Sequence, residues 1–228
     1  MIALFSVVFT AGLYWAAKWC YKHQPKVYLS PLLTVPLFVV VFLLWTHISY
    51  ESYNAGAKWL THMLEPATVA FAIPLYKYLN ILKKHAAEII VSVLSGSVAA
   101  IISSMIIAQV LHLNTQIVNS LIPRSITTPI AMGLSASIGG IPAVTAVFVI
   151  ITGLLGTIIG PVLIRVLCIE NEIARGALLG TAAHGAGTAK AFEFGSITGT
   201  ISSLSMIIAA LITLCVAPWV ISMLLTLF

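Results

Sequence analysis

Apolar runs separated by short polar loops alternate along nearly the whole chain. A transmembrane helix needs roughly 20 predominantly apolar residues, so each run predicts a crossing. The first run, 1–17, ends at Lys18, Lys22 and Lys26; the second, 27–45, ends before His47, Tyr50 and Glu51, with Trp45 and Tyr50 placed as interfacial aromatics. Residues 60–82 are again mostly apolar, but Glu65, Pro66 and Pro74 interrupt them. Proline lacks an amide donor and clashes with the preceding turn, so this span is expected to be broken or kinked. Residues 89–111 form a clean fourth span containing Ser92, Ser95, Gly96, Ser97, Ala99, Ala100, Ser103 and Ser104. Small residues let helix backbones approach closely, which places this span inside a bundle.

No charge occurs between Ser125 and Ile164, room for two passes around a turn at Gly139, Gly140, Ile141 and Pro142. The arm before the turn is too short to cross unaided, and extending it backwards takes in Pro123 and Arg124, so its topology stays open between a half-helix, a re-entrant piece and a crossing. Residues 143–164 are an ordinary span, followed by a polar loop with Arg165, Glu170, Glu172 and Arg175. The next stretch holds Gly176, Gly180, Gly185, Gly187 and Gly195 with His184, Lys190 and Glu193, too flexible and too polar to face lipid. It requires protein around it. A last span covers 197–225.

An internal echo links the two halves: PLLTVPLFV at 31–39 resembles PAVTAVFV at 142–149, and each precedes an interrupted stretch and then a Ser/Gly-rich span. Interrupted helices in corresponding positions of two halves point to the midplane binding site of a secondary transporter, because broken helices aim free N-termini and carbonyls into a cavity. The halves are taken as residues 1–112 and 122–228 of one integral membrane domain. Their relative orientation is left open.

Composition fits this pattern: 60% of the 228 residues are hydrophobic and 7% charged, and the mean hydropathy is +1.09, which excludes a soluble domain. The net charge of +5, with no aspartate at all, does not suit a nucleic-acid groove, because the cations lie in short loops between apolar runs. Lys18, Lys22 and Lys26 after the first run and Lys77, Lys83 and Lys84 after the third fall on one side, the cytoplasmic side by the positive-inside rule, so the amino terminus is expected outside. Cys20, Cys168 and Cys215 show neither a disulfide framework nor metal-ligand spacing, and no metal or cofactor is expected. With no basic residue before Lys18 and no cleavage-like site, 1–19 is expected to remain as a span.

Several polar residues are costly at membrane depth and are candidates for chemistry. Arg124 heads its span beside Ser125, Thr127 and Thr128; its planar fork suits a carboxylate, and hydroxyls complete such a site, while the alternative is an arginine snorkelling to the interface. His184 lies among small residues, where an imidazole can meet a ligand, carry a proton or bond a neighbouring helix. Gly185, Gly187 and Thr188 would shape that turn. Lys190 and Glu193 are three apart and either neutralise each other or serve a site. Glu65 is either a proton-coupling carboxylate, as Glu193 could also be, or an interfacial cap. Pro66, Pro74, Pro129 and Gly180 are the expected helix breaks. There is no GxSxG, HExxH or Walker loop, and without aspartate no Ser/His/Asp triad, so no enzyme is expected.

Four motifs in order, PATVAFAIPLY at 66–76, PRSITTPIAM at 123–132, GGIPAVTAV at 139–147 and RGALLGTAAHGAGTAKA at 175–191, resemble the LrgB/CidB family of bacterial membrane proteins over nearly the whole chain. The family often has Gly or Gln at the position of Glu65 and Lys at that of Arg124. The first departure puts an essential role for Glu65 in doubt, and the second favours a charge requirement over a bidentate one. The resemblance implies two competing functions: an antiholin-like regulator of murein hydrolase export and lysis, acting beside a small LrgA/CidA-like membrane partner, or a carrier of small carboxylates such as pyruvate and glycolate.

Burying Thr, His, Lys and Arg in interrupted segments favours transport, since an oligomerising pore-former needs none of them. The expectation is therefore an all-α polytopic inner-membrane protein of about seven or eight spanning or re-entrant segments in two related halves, each with a broken helix, assembled as a homo-oligomer. Arg124, Ser125, Thr127 and Thr128 would bind a small carboxylate together with the turn His184, Gly185, Gly187 and Thr188, with Lys190 supplying charge.

Overall fold

The computed structural model describes residues 2–24, 29–63, 66, 69–70 and 72–225. Among these every regular element is helical: α1 (Ile2–His23), α2 (Pro31–Thr46), α3 (Tyr50–His62), α4 (Ala72–Lys77), α5 (Leu79–Lys84), α6 (Ala86–Val110), α7 (Thr115–Leu121), a 3-10 turn (Ile122–Ser125), α8 (Thr128–Ser137), α9 (Pro142–Val166), α10 (Glu172–Phe194) and α11 (Ser196–Leu225). The chain divides into two compact units, Met1–Ala72 and Ile73–Phe228, a division of packing that falls elsewhere than the boundary between 1–112 and 122–228.

In the first unit α1 packs on α2 and α3. The rings of Phe5, Phe9 and Phe42 cluster between α1 and α2, with the Phe9 and Phe42 centroids 4.5 Å apart. Thr10 on α1 shares a hydrogen bond with Tyr53 on α3, and the Ser49 hydroxyl accepts the Ser52 amide to start α3. Of the break expected between 60 and 82, Glu65 lies outside the described residues, Pro66 is exposed, and Pro74 falls within the short helix α4.

In the second unit three helices among the described residues are long and apolar enough to cross a membrane: Ala86–Val110, Pro142–Val166 and Ser196–Ala217. Leu33–Thr46 of the first unit is a shorter apolar helix. α11 is the most enclosed of the three, with Thr198, Ile201, Ser202, Ser203, Ser205, Met206 and Ala209 buried. Its neighbours leave one apolar face outward, through Val91, Leu94 and Ile106 on α6 and Val147, Ile150 and Val162 on α9. A helix apolar all round with one face uncovered is what a bilayer accepts and water does not.

The segment before α9 folds back on itself. α8 has 10 residues, about 15 Å at 1.5 Å per residue, half of a hydrocarbon core. Asn119 Nδ2 donates to Ile138 O at 2.6 Å and Ile141 N donates to the Ser120 hydroxyl at 2.7 Å, so the chain leaves α7, runs through the 3-10 turn and α8, and comes back to the start of α9. Gly139, with φ +79°, makes the final turn, and Gly140 N donates to Ser135 O at 2.8 Å. Pro129 sits in the first turn of α8, where its missing amide hydrogen is no loss, so it starts a helix instead of breaking one; the interruption lies before it, at Pro123 and Ile126.

α10 is interrupted, but not at Gly180. Ala183 (φ −133°, ψ 15°) and His184 (φ 41°, ψ −129°) leave helical geometry, separating an arm that begins at Asn171 from one that ends at Gly195. Gly180 stays helical because it is needed for contact: a side chain there would run into the backbone of Ser202 on α11. On the opposite side Gly153, Gly156 and Gly160 of α9 lie against His184, Ala183 and Leu179. Their spacing of three and four residues puts them on one face, so α9 and α10 approach at backbone distance.

Candidate functional site

Arg124 is the cation about which the second unit is arranged. The 3-10 turn lifts it off the helical path between α7 and α8, flanked by the buried Pro123 and Ile126. Its Nε donates to the Ser104 hydroxyl at 2.9 Å, and that hydroxyl in turn donates to Ala100 O at 2.6 Å on α6. The guanidinium has five donors in a fixed fork, and a single hydrogen bond uses only the inner one. Among the described residues no carboxylate pairs with it.

Two clefts meet at this side chain. The larger, ≈ 640 Å³, runs between α6 and α10. Glu88, Ser92, Gly96 and Ala100 line one wall at intervals of four residues, while Ala174, Ala177, Leu178, Thr181 and Ala182 line the other; Arg124 and Ser125 lie at one end, and Asn171 with Glu88 belongs to the other. The smaller, ≈ 240 Å³, lies between α9 and α10, where Thr152, Gly156 and Gly160 face Leu179, Ala182 and Ala183. Arg124, Leu178 and Ala182 border both, so a ridge of α10 separates the two spaces beside the arginine. Ala100, Thr152 and Ala182 each lie near the middle of their helices, which sets the guanidinium well inside the span.

Of the residues expected to bind, Arg124 and Ser125 share the larger cleft. Thr127 and Thr128 are half-buried at the start of α8 and line neither cleft. The glycine-rich turn is turned into the packing. His184 is buried and its Nε2 donates to Val149 O on α9 at 3.0 Å, the helix-to-helix bond weighed as one of its roles. Thr188 is fully buried and shares a 3.0 Å hydrogen bond with Ser202 on α11. Gly187 is buried against Leu179, whereas Gly185 has open space beside it. Lys190 Nζ donates to Glu193 Oε2 at 2.5 Å, so these two neutralise one another.

The wall of the cleft is missing from the candidates that residue type marks in the sequence: Ser92, Gly96 and Ala100 read there as a packing face, and Glu88, Thr181 and Asn171 belong to no motif. Their signal was available: Glu88, Ser92, Gly96, Ala100 and Ser104 recur every four residues, a stripe along one helix face that begins with a charge and ends at the arginine's partner. Among the described residues no three metal-ligating side chains converge.

The sequence profile of the LrgB-like family matches residues 10–223, a range that contains every residue of both clefts. The chain belongs to the LrgB-like family. It is 60% identical over 97% of its length to the Bacillus subtilis (strain 168) protein named "Uncharacterized protein YwbG", covering 98% of it. It is 39% identical to YxaC of the same organism, over 92% of each chain. It is 35% identical to "Antiholin-like protein LrgB" of Bacillus cereus (strain B4264), over 96% of this chain and 95% of that one. No solved structure matches. As a member of the LrgB-like family with long apolar helices, the chain is a membrane protein.

Proposed function

We propose that this chain carries small monocarboxylates of the pyruvate and glycolate class across the bacterial inner membrane by alternating access, without catalysis, and influences autolysis indirectly. The observation that carries the reading is Arg124: a half-buried cation, unpaired with a carboxylate among the described residues, bordering two clefts. A buried charge is retained only where something offsets its desolvation, and a carboxylate substrate offsets it during each passage. Ser125 and Thr181 add hydroxyls within the same cleft. The ridge at Leu178 and Ala182 divides the clefts, and a shift of the first arm of α10 about Ala183 and His184 would open the arginine to one side and then the other.

In this reading the polar break in α10 and the return loop before α9 are the interrupted elements of the second half, and Pro31 and Pro142, each at the first turn of its helix, mark the corresponding starts in the two halves. Because the segment 115–137 returns to its own side, Arg165 and Arg175 fall on the cytoplasmic side with the lysine clusters, with the amino terminus outside. The test is uptake of labelled pyruvate, glycolate and lactate into proteoliposomes of the purified chain, with a pH gradient imposed in each direction. Saturable uptake absent in Arg124→Ala is expected. No uptake by the chain alone or with an LrgA/CidA-like partner overturns the reading.

The names of its relatives favour a second reading, an antiholin-like regulator of murein hydrolase export acting with that partner. The two separate cleanly. A lysis regulator tolerates alanine at Arg124 and fails when the small-residue face at Gly96 is disrupted, whereas a carrier shows the reverse sensitivity at Arg124.

A further inference from the structure

The larger cleft is far bigger than the acids assigned to it. At about 30 Å³ of liquid volume per water it has room for roughly twenty water-sized groups, several times a three-carbon acid. Its ≈ 640 Å³ lies within the ~300–1,000 Å³ range of sites that enclose drug-sized ligands. The space is elongated: the wall from Glu88 to Ala100 covers three helical turns, about 16–18 Å at the α-helical rise. Among the described residues charge sits at the two ends only: Arg124 is the one cation in the lining and Glu88 the one carboxylate, and Glu88 already accepts a hydrogen bond from His85 Nδ1 at 2.9 Å. Between them the walls are formed by small and aliphatic side chains, chiefly Gly96, Ala100, Ala174, Ala177 and Leu178, which give water few partners.

Resting on the carboxylate reading of Arg124, we infer that the site takes monocarboxylates bearing an unbranched aliphatic tail, the head on Arg124 and Ser125 and the tail lying along the Ser92, Gly96 and Ala100 stripe toward Glu88. Two selectivities follow from the same geometry. Each methylene moved from water into the apolar slot tightens binding by about threefold to fourfold until the slot is filled. A second carboxylate on the tail is left among the small and aliphatic side chains of the slot without a cation to pair with, so dicarboxylates of equal length bind worse than the monoacids.

The test is calorimetric titration of the purified chain in detergent with propionate, butanoate, hexanoate, octanoate and decanoate, and with octanedioate and octylamine, alongside proteoliposome uptake of labelled propionate. Affinity rising by about threefold per methylene up to a limit, loss of that binding in Arg124→Gln, rejection of octylamine and octanedioate, and a shift of the optimum toward shorter acids in Ala174→Leu support the inference. Ala174 is exposed at the cleft wall, so its enlargement has no core neighbour to displace. Arg124-dependent propionate uptake with affinity flat across chain length overturns the inference and leaves the carboxylate reading standing. Neither binding nor uptake of any acid overturns both. Equal binding of octanoate in Arg124→Gln, or displacement by phosphatidylglycerol vesicles of an acid that is never taken up, identifies a bilayer lipid as the occupant and also overturns it.

Discussion

Arg124 spends one donor on Ser104 and keeps its outer fork free among the described residues, so the charge and the fork can be told apart by substitution. Lysine keeps the charge, and glutamine keeps hydrogen bonding without charge. If charge is what the site requires, Arg124→Lys retains saturable uptake with KM raised by about tenfold, the cost of one lost charge-assisted hydrogen bond, whereas Arg124→Gln abolishes it. His184 gives a second residue-scale prediction. Its φ of 41° and ψ of −129° resemble the first central residue of a type II′ turn, a conformation that glycine adopts freely and other residues hold at a cost of about 1–3 kcal/mol. His184→Ala keeps the strained backbone and loses the bond to Val149; His184→Gly loses the bond and relieves the strain. Glycine is therefore the milder substitution by roughly 1 kcal/mol, the reverse of their order inside a helix, and thermal unfolding in detergent reads the ranking. Arg124 stands out in the sequence as a lone charge between long uncharged stretches, although an arginine snorkelling to the interface accounts for that pattern equally well. The conformation of His184 is not legible there, because nothing local demands it: it is imposed by Gly153 and Val149 on another helix, and local composition pointed to Gly180 instead.

At the scale of elements, the α9 and α10 contact depends on the absence of side chains along one face. A methyl group at Gly153 would come within 2.8 Å of His184 Cε1 and 2.9 Å of its Nε2, and one at Gly156 would overlap the methyl of Ala183. Overpacking of this kind typically costs about 1–3 kcal/mol, so Gly153→Ala and Gly156→Ala lower the unfolding temperature measured in detergent, and Gly153→Ala also displaces the His184 ring from Val149. Gly133 on α8, with nothing within 4 Å of its own added methyl group, is the control that leaves stability unchanged or raises it. These glycines read in the sequence only as small residues compatible with close packing. Which of them touch a neighbour depends on helix rotation, and periodicity fixes that only when the partner helix is known. The Glu88 to Ser104 stripe fails for the same reason: four-residue spacing describes a face equally well whether it meets another helix or a cleft.

For the whole molecule, the most consequential element is the loop through α7 and α8, because a segment that returns to its own side reverses the placement of everything after it. The hydrogen bonds from Asn119 to Ile138 and from Ile141 to Ser120 close that loop at one end of α9. In the proposed carrier topology, the charge rule predicts the connection after α9 on the same side of the membrane as the connection after α1. Each connection carries an exposed native cysteine, Cys20 near the end of α1 and Cys168 just beyond α9. With Cys215 on α11 replaced by serine to remove the remaining thiol, a membrane-impermeant maleimide applied to intact cells is expected to label neither cysteine, and applied to inverted vesicles to label both. Single-cysteine versions of each make the assignment separately. Labelling of Cys168 alone in intact cells would mean that 115–137 crosses and that the hydrogen-bonded return at Ile138 and Ile141 does not set the topology.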